Sequence, residues 1–454
     1  MSSGRPNSIV KVVSLGCPKN DADTEVMLGM LAENGYRFVS EPERADILLI
    51  NTCAFIRPAV EESVGFVQEA VDRKRLDPNV KIVVAGCLPQ RWRVSGETVP
   101  PEIDCVLGTG QYQRIAEALD RVAHGRTIRW LGEPRYLPPA TAPRIRITPP
   151  HYAYVKIADG CDNRCSYCLI PSLRGRYRSR SVRAIVSEAR DAVASGAKEI
   201  VLVGQDTTLY GKDRSGSADL AALLRAVSRI DGVQWIRVLY TYPTHFSERL
   251  VETMRDLPNV VPYLDIPLQH SHDEILARMN RKSGSDEIRR LIDTLRETIG
   301  GVAIRTTFIV GFPGERERHF AHLMRFIERM RLDRAGVFTY WRESGTRAAA
   351  FPDQVHDEVK EARRAAAMSL QQEISLENNR RLIGTRLTAL IDGVCASPVE
   401  DSTEDQWCVV GRTYRDAPEI DGQIFVDDDS LAAGTMVEVE VTGAQAYDLI
   451  GRKV

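Results

Sequence analysis

Short apolar runs alternate with amphipathic, helix-like segments along roughly the first 350 residues of this 454-residue chain. A run that is apolar at every position suits a strand buried on both faces, and such strands pair in parallel sheets covered by helices. The alternation therefore restricts this part of the chain to the α/β class, with parallel strands joined by helical crossovers. Near residue 385 the pattern changes, so we expect more than one domain.

The first region, residues 8–125, is expected to form an N-terminal parallel doubly wound domain. Six prolines between Pro134 and Pro150 follow it, and a proline-rich stretch is stiff and extended. We therefore expect residues 126–146 to be a linker. Strands are expected at 9–17, 46–53 and 81–87, and helices at 21–35 and 59–74.

The second region, residues 147–378, contains six apolar runs separated by helical segments. This number predicts an open, partial (β/α)6 barrel, because the two further strands of a full eight-stranded barrel are not found. The stretch from His356 to Ile383 contains neither Gly nor Pro, which predicts one long helix. The barrel strands are expected at 152–160, 198–206, 234–242, 261–269, 302–311 and 335–341.

The last region, residues 380–450, shows short strands separated by turns, which is typical of a small antiparallel β-barrel. From Arg380 to the end, 14 Asp and Glu face 7 Lys and Arg, a net charge of −7 against −2 for the whole chain. An acidic barrel repels phosphates and attracts basic proteins, so we expect no direct nucleic-acid binding; the alternative is a merely solvated surface. Its most acidic stretches are VEDSTED (399–405) and FVDDDS (425–430).

The start of the chain has no apolar stretch long enough for a secretory signal, and no run approaches the roughly 20 apolar residues of a membrane span. We therefore expect a cytoplasmic protein with no membrane partner. In that reducing compartment, nine cysteines indicate metal or redox chemistry more than a disulfide framework.

Three cysteines fall within eight residues of the sequence DGCDNRCSYCLI, at Cys161, Cys165 and Cys168. They follow the first expected barrel strand, at the sheet edge where ligands of parallel α/β folds collect. A CxxxCxxC loop can bind three irons of one 4Fe-4S cluster and leave the fourth iron open to a small chelating ligand. The alternative is a zinc site completed by a distant histidine, although zinc sites more often show paired CxxC units.

A second trio, Cys17, Cys53 and Cys87, is dispersed along the chain, but each member ends a predicted strand. Neighbouring parallel strands lie about 5 Å apart, so three such ends can face one point. Three thiolates there could hold a second 4Fe-4S cluster, whereas the alternative is that buried cysteine is a common core residue. The remaining cysteines lack this placement and are expected to be structural: Cys105, Cys395 and Cys408.

The CxxxCxxC motif, with Tyr167 before its last cysteine, resembles the radical S-adenosylmethionine (SAM) enzymes. The resemblance implies that the open iron binds the amino and carboxylate groups of SAM, and that an electron from the cluster splits SAM into a 5′-deoxyadenosyl radical. It also suggests a SAM pocket at the strand ends, although the alternative for the second strand's residues is capping of the next loop. The expected pocket residues are Tyr167, Gln205, Asp206, Gln269 and Gly311.

Two further stretches carry open alternatives. The basic sequence RGRYRSRSVR (174–183) either contacts SAM or an acidic substrate group, or forms internal ion pairs and a solvated loop. His270 ends the fourth barrel strand, and a lone histidine in such a place is more often structural than catalytic.

With both trios present, the chain resembles the methylthiotransferases over nearly its whole length. The matching stretches are SLGCPKNDADTE, NTCAFI, AGCLPQR, GCDNRCSYCLIPSLRGRYRSR and FIVGFPGE. The resemblance implies an N-terminal domain with an auxiliary cluster, a radical SAM domain and a C-terminal TRAM barrel. It further implies that the auxiliary cluster handles the sulfur, that one SAM supplies the methyl group and another the radical, and that an external electron donor and a sulfur donor are partners.

The methylthiotransferases have two main branches, which modify either a tRNA adenosine or the β-carbon of an aspartate in the twelfth protein of the small ribosomal subunit. The stretch 263–284 resembles the ribosomal branch, because the tRNA branch usually has Ser-Gly where this chain has His270 and Ser271. A basic ribosomal protein, free or on the ribosome, is therefore the expected partner. Two alternatives stay open: a tRNA adenosine methylthiotransferase and a non-catalytic zinc-binding protein associated with the ribosome. Trp341 departs from the family, whose members commonly have a small residue there.

Overall fold

The computed structural model describes residues 8–216, 218–396, 407–428 and 430–454. Three regions follow one another along the chain, each built on its own sheet or barrel. The acidic stretch 399–405 lies outside the described residues, as does Asp429 of the second acidic stretch.

The N-terminal region is a doubly wound sheet of parallel strands. Its strands are β1 (Ile9–Ser14), β2 (Arg37–Val39), β3 (Ile47–Thr52), β4 (Lys81–Gly86), β5 (Cys105–Gly108) and β6 (Ile128–Trp130), and its helices are α1 (Pro18–Glu33), α2 (Arg57–Leu76), α3 (Cys87–Ser95) and α4 (Ile115–Ala123). They pair in the order β2-β1-β3-β4-β5-β6. All six residues of β3 are buried, as a central strand with helices on both faces requires.

The sequence expectation for this region is confirmed for three strands and incomplete for the rest. It missed β2, β5 and β6, which have only three or four residues each. It also began the first helix too late, because α1 starts at Pro18 with Cys17 as its N-cap. Proline suits the first position of a helix, where its missing N–H has no intrahelical partner.

The central region contains the six expected barrel strands. Its strands are β7 (Tyr152–Lys156), β8 (Ala158–Asp159), β9 (Arg178–Ser179), β10 (Glu199–Val203), β11 (Trp235–Val238), β12 (Val260–Asp265), β13 (Ala303–Val310) and β14 (Arg334–Thr339). Its helices are α5 (Ile170–Arg174), α6 (Val182–Ala194), α7 (Leu220–Ser228), α8 (Glu248–Asp256), α9 (Asp273–Arg278), α10 (Ser285–Thr298), α11 (Glu317–Met330) and α12 (Asp357–Arg380). Parallel pairs join the strands in the order β14-β13-β12-β11-β10-β7, while β8 and β9 form a small antiparallel pair. The long C-terminal helix of this region, α12, is present as predicted.

The C-terminal region is a closed five-stranded barrel. Its strands are β15 (Arg386–Ala396), β16 (Trp407–Thr413), β17 (Ile424–Val426), β18 (Met436–Ala444) and β19 (Leu449–Lys453). They close in the order β15-β16-β17-β19-β18. The expected small barrel is confirmed, with one addition: β17 and β19 pair in parallel, whereas the other pairs are antiparallel.

The small barrel packs against the face of the central sheet that the helices leave uncovered. Leu390 and Ala417 join a core cluster with alternate residues of the central strands, whose other residues pack with the helices. Tyrosines of the sheet donate hydroxyl hydrogen bonds to this segment: Tyr152 to Glu419 over 2.9 Å and Tyr263 to Asp421 over 2.5 Å. Acidic side chains of the small barrel thus serve an internal contact.

Helix α1 is fastened to the central region by buried ion pairs. Lys156 of β7 pairs with Asp23 of α1. Arg144, in the proline-rich segment, pairs with both Glu25 of α1 and Glu188 of α6. These contacts fix the N-terminal half of α1 beside the carboxyl end of β7. Within the described residues, no helix combines the length and apolar composition of a membrane crossing.

Candidate active site

The first cysteine trio lies on one short loop after β8. Cys161 is buried, while Cys165 and Cys168 are half-buried. The loop closes on itself through a hydrogen bond of 3.2 Å from the Cys168 amide to the Cys165 carbonyl. It is preceded by Gly160 at φ +79°, where an added Cβ would lie 2.1 Å from the Arg176 carbonyl oxygen, so this turn needs glycine. The three thiols are therefore fixed on a constrained segment.

Asp206 anchors this loop to the second barrel strand. Its carboxylate accepts a hydrogen bond from Asn163 of the cysteine loop over 2.7 Å. The same carboxylate accepts from the hydroxyl of Thr208 over 2.6 Å and from the amide of Leu209 over 3.3 Å. These contacts correspond to the capping alternative for Asp206, combined with positioning of the cysteine loop.

Two other expected pocket residues, Gln205 and Gln269, follow the barrel strands β10 and β12. The amide nitrogen of Gln205 donates to Asp159 over 3.0 Å, but its carbonyl oxygen is buried without a partner among the described residues. Gln269 has φ +73°, an uncommon conformation for a residue with a side chain, and its backbone bonds to Thr307 and Ile309 of β13 hold it there. Both positions suit recognition of a polar ligand.

The last two expected pocket residues are Tyr167, in the cysteine loop, and Gly311, in the turn after β13. Tyr167 packs beside a buried cluster that includes Phe312. Gly311 has φ +70°, and an added Cβ would lie 2.1 Å from the Lys360 side chain. Glycine is therefore required here by the close approach of α12.

The second trio gathers at the carboxyl ends of β1, β3 and β4, which are neighbours in the N-terminal sheet. Cys17 caps α1, and Cys87 is the first residue of α3. Gly16, at φ +97°, packs so closely on Cys53 that an added Cβ would lie 2.8 Å from its sulfur. The convergence expected from the three strand ends is thus present.

Asn20 braces the three loops of the second trio. Its side-chain nitrogen donates to the carbonyls of Leu15 and Thr52, each over 2.9 Å, while its own carbonyl accepts from Asn51 over 2.9 Å. Its side-chain oxygen lies 4.0 Å from the sulfur of Cys87. Sequence reasoning missed this residue, and the available signal was its place three residues after a candidate ligand.

Arg174 connects the two trios. It ends α5, the helix that follows Cys168, and it is buried. Its guanidinium donates to Asp23 over 2.7 Å and to Asn20, and lies 3.6 Å from the sulfur of Cys87. The segment that follows one trio therefore places a cation beside the other. For this residue of the basic stretch 174–183, the structure therefore shows an internal ion pair, which was one of the two expected roles.

Burial disfavours the thiolate form of several cysteines in the two trios. It raises the pKa of Cys161 and that of Cys53 to about 12. The pKa of Cys87 is also raised by burial, although the nearby charge of Arg174 opposes this. Thiolate is the form that binds metal, so incorporation of a cluster must displace protons from these sites.

The spacing of the sulfurs distinguishes a single ion from a cluster. Zinc binds sulfur at about 2.3 Å, so thiolates that share one zinc lie roughly 4 Å apart. Neither trio brings its three ligand atoms within 4.8 Å of one another, and within the described residues only His272, Glu274 and His319 do so. Soft thiols that are grouped but more widely spaced fit an iron–sulfur cluster rather than zinc.

The compact histidine group is a hydrogen-bond network rather than a ready metal site. The Nδ1 atoms of His272 and His319 accept backbone N–H groups of Glu274 and Arg316 over 3.2 and 3.0 Å. In the neutral ring of His272 the hydrogen therefore resides on Nε2, and Nε2 of His319 already accepts a hydrogen bond from Arg318 over 3.0 Å, so neither nitrogen is free to bind a metal. Arg318 also donates to Glu274 over 2.7 Å.

Comparison with known families matches the three regions separately. Residues 9–108 match the uncharacterized protein family UPF0004, residues 155–327 the radical SAM superfamily and residues 383–454 the TRAM domain. Two relatives that carry the name ribosomal protein uS12 methylthiotransferase RimO are similar over almost their whole length. The chain is 47% identical to that of Heliobacterium modesticaldum, over 98% of this chain and 95% of the relative, and 45% identical to that of Geotalea uraniireducens, over 98% of each.

The solved structure of the radical SAM methyltransferase TsrM from Kitasatospora setae, with cobalamin and a 4Fe-4S cluster bound, has a similar fold. It superposes with a TM-score of 0.55 over 87% of this chain and 81% of that chain, at 14% sequence identity. At this identity the likeness concerns the fold alone.

Proposed function

The chain belongs to the RimO family of ribosomal protein uS12 methylthiotransferases, and we propose that it attaches a methylthio group to the β-carbon of an aspartate in uS12. It is a radical SAM enzyme that uses SAM and 4Fe-4S clusters. The electron and the sulfur come from external donors. The runner-up, modification of a tRNA adenosine, would use the same cofactors on another substrate.

Each cysteine trio is assigned one cluster. When bound, one cluster would supply the electron that splits SAM and so forms a radical. The other cluster would supply a site for the sulfur that is transferred. The protein supplies fixed thiols, a buried cation at Arg174 and the bracing amide of Asn20. The SAM-cleaving cluster is assigned to Cys161, Cys165 and Cys168, and the auxiliary cluster to Cys17, Cys53 and Cys87.

One observation carries the proposal: a second, separate trio of cysteines, of which Cys53 and Cys87 are buried and Cys17 is half-buried, lies across the domain junction from the first. The three sulfurs of the second trio do not all lie within 4.8 Å of one another, which is too open for a single zinc ion, and the guanidinium of Arg174 lies beside them. Sulfur insertion needs both a radical at the substrate carbon and a source of sulfur nearby. Two trios joined by one short helix, α5, meet that need.

The negative charge of the C-terminal barrel favours a basic protein over RNA as substrate. Only part of that charge is available for binding, because some of the acidic side chains are used inside the protein. Asp416 and Asp421 face the central region, where they pair with Arg334 and Arg305 over 2.8 and 3.2 Å. The exposed acidic residues of the barrel, such as Asp427, remain available to attract a basic partner.

The decisive experiment is mass spectrometry of uS12 and of tRNA after anaerobic turnover with SAM, reductant and sulfide. We expect one methylthio group on an aspartate of uS12 and none on the tRNA. A fully iron-loaded enzyme that modifies the tRNA, or that leaves both substrates unchanged, would contradict the proposal. The matched control is Cys105→Ala, because this cysteine is buried in the same sheet but belongs to neither trio.

A further inference from the structure

Lys19 is a buried cation at the junction of the N-terminal and central regions. It belongs to the first turn of α1, two residues after Cys17, and only 8% of its surface is exposed. Its Nζ lies 3.1 Å from the centre of the Tyr240 ring. Since Tyr240 follows β11, the lysine reaches from the region of one trio to the sheet edge that carries the other.

The Lys19 ammonium forms no ion pair with a carboxylate of the described residues. Among the described residues, no carboxylate lies within 4.0 Å of Nζ and no acceptor lies within hydrogen-bonding distance. The nearby carboxylate of Asp265 is already used, because it accepts from Arg305 over 2.8 Å and from the Tyr240 amide over 2.9 Å.

A second buried lysine at the same junction, Lys156, is paired with carboxylates of the protein itself. Lys156 is 1% exposed and pairs with two carboxylates, those of Asp23 and, over 3.3 Å, Asp159. A buried charge is costly unless it is paired, so proteins usually supply the counter-ion themselves. At Lys19 the group in direct contact is an aromatic ring, and the negative groups that act on the ammonium from farther away are the carboxylate of Asp265 and the thiols of Cys17 and Cys53.

The ring under Lys19 is held in a strained position. Tyr240 has φ +60°, a left-handed conformation that is uncommon for an aromatic residue. Its backbone is fixed on both sides, because its amide donates to Asp265 and its carbonyl accepts from Thr207 over 3.0 Å. Such strain persists where the surrounding structure enforces it, and it is concentrated at functional sites.

We propose that Lys19 binds the side-chain carboxylate of the aspartate that the enzyme modifies, with the Tyr240 ring as the floor of this subsite. The inference rests on the proposed function. The carboxylate of aspartate is bonded directly to the β-carbon, so anchoring it fixes the reacting carbon one bond away. The charge also distinguishes aspartate from asparagine, which has nearly the same shape. Lys19 is a positioning and specificity residue in this account.

A carboxylate could reach Lys19 from two sources, because the methionyl part of SAM also carries one. The structure favours the substrate, since Lys19 lies next to Cys17 of the second trio, while SAM belongs to the trio of Cys161. The two sources are separated by measuring peptide binding and SAM binding independently.

The test compares the wild-type holoenzyme with Lys19→Met and Lys19→Arg. Dissociation constants are measured for SAM and for two uS12 peptides, one with the target aspartate and one with asparagine in its place. We expect the wild type to prefer the aspartate peptide by on the order of 30-fold, as for other buried charge pairs. Lys19→Met should bind both peptides equally, with SAM affinity unchanged, whereas Lys19→Arg should retain part of the preference.

Iron content and the electron paramagnetic resonance spectrum of each variant show whether its clusters are intact. If Lys19→Met disturbs them, Lys19→Gln replaces it. A preference for aspartate that survives the loss of the charge would overturn the assignment, as would a selective loss of SAM affinity. Wild-type turnover of the aspartate peptide is followed by mass in parallel. Absence of methylthiolation there would instead count against the proposed function.

Discussion

The guanidinium of Arg174 lies 3.6 Å from the sulfur of Cys87, although 87 residues separate them in sequence. The same guanidinium pairs with Asp23 over 2.7 Å. A cation at this distance favours a thiolate over a thiol, which helps a buried cysteine to bind metal. Arg174 is therefore both a structural ion-pair partner and a support for the auxiliary site.

Replacing Arg174 with methionine should damage stability and auxiliary-cluster loading together. The buried carboxylate of Asp23 would lose one of its two cations, which costs about 3 kcal/mol or more of the free energy of unfolding. Iron analysis should show a loss toward one cluster per chain, and denaturant unfolding should show the destabilisation. Arg176→Met is the matched control, because that side chain is 88% exposed. Full iron content in Arg174→Met would contradict this role.

The two trios should be separable by mutation. Cys165→Ala is expected to abolish release of 5′-deoxyadenosine, since the first trio is assigned to SAM cleavage. Cys53→Ala should still release 5′-deoxyadenosine but form no methylthiolated product. Both products are measured by mass spectrometry after anaerobic reaction. If Cys53→Ala retained methylthio transfer, the auxiliary assignment would be wrong.

Lys19→Met should raise the thermal midpoint of the iron-free protein. Methionine removes a buried ammonium that has no ion-pair partner among the described residues, and it keeps most of the side-chain volume. The matched variant Lys156→Met should lower the midpoint, because it leaves Asp23 and Asp159 with fewer cations. Scanning calorimetry compares the two. A fall of similar size in both would indicate that Lys19 is an ordinary structural residue.

Stability should depend on Glu315 between about pH 4.5 and 7. Burial raises the pKa of Glu315 to about 7, even though Arg363 lies 3.0 Å away. The folded state therefore holds a proton that the unfolded chain releases near pH 4.5, and this stabilisation is lost as the pH rises through 7. The change amounts to about 3 kcal/mol. His270, 3.8 Å away, stays neutral across this range because burial lowers its pKa to about 3.

Glu315→Gln should flatten this part of the pH profile of the free energy of unfolding. Urea unfolding at several pH values measures the slope. The control is Glu317→Gln, an 83% exposed carboxyl that lies 3.6 Å from the same Arg363. An unchanged slope in Glu315→Gln would mean that another group titrates there.

Charge reversal on the exposed face of the C-terminal barrel should weaken binding of uS12. The double variant Asp427→Lys and Glu438→Lys changes two exposed acids, and we expect roughly tenfold weaker binding at low salt. The difference should shrink as salt screens the charges. Reversing Glu62 and Glu69 on α2 is the control. Equal, salt-insensitive affinities in both double variants would exclude the barrel as the docking surface.

Much of the site could be predicted because its ligands lie at ends of strands. Buried strands such as β3 are recognisable as apolar runs, and parallel neighbours bring their carboxyl ends to one edge. The capping role of Asp206 was foreseen only as an alternative, and the packing of α12 against Gly311 was not foreseen. Gly311 is packed against the side chain of Lys360, which lies 49 positions later in the sequence. No local sequence pattern reveals this contact.

The residues that sequence reasoning missed belong to the junction between regions. Lys19 was not singled out, and Arg174 was noted only within the basic stretch 174–183 with its role left open, because the role of each depends on which surfaces meet. The negative charge of the C-terminal region misled in part, since Asp416 and Asp421 satisfy buried arginines of the central region. Composition gives the number of charges but not the direction in which they point.

The ion pairs of α1 with the central region have a mechanical consequence. Asp23 and Glu25 clamp a stiff helix to Lys156, Arg174 and Arg144, so the height and rotation of one half over the other are set by side chains. The covalent tether between them is then dispensable for alignment. After a single proteolytic cleavage between residues 131 and 141, we expect the two fragments to stay associated as one complex. The two cysteine trios would then keep their relative positions.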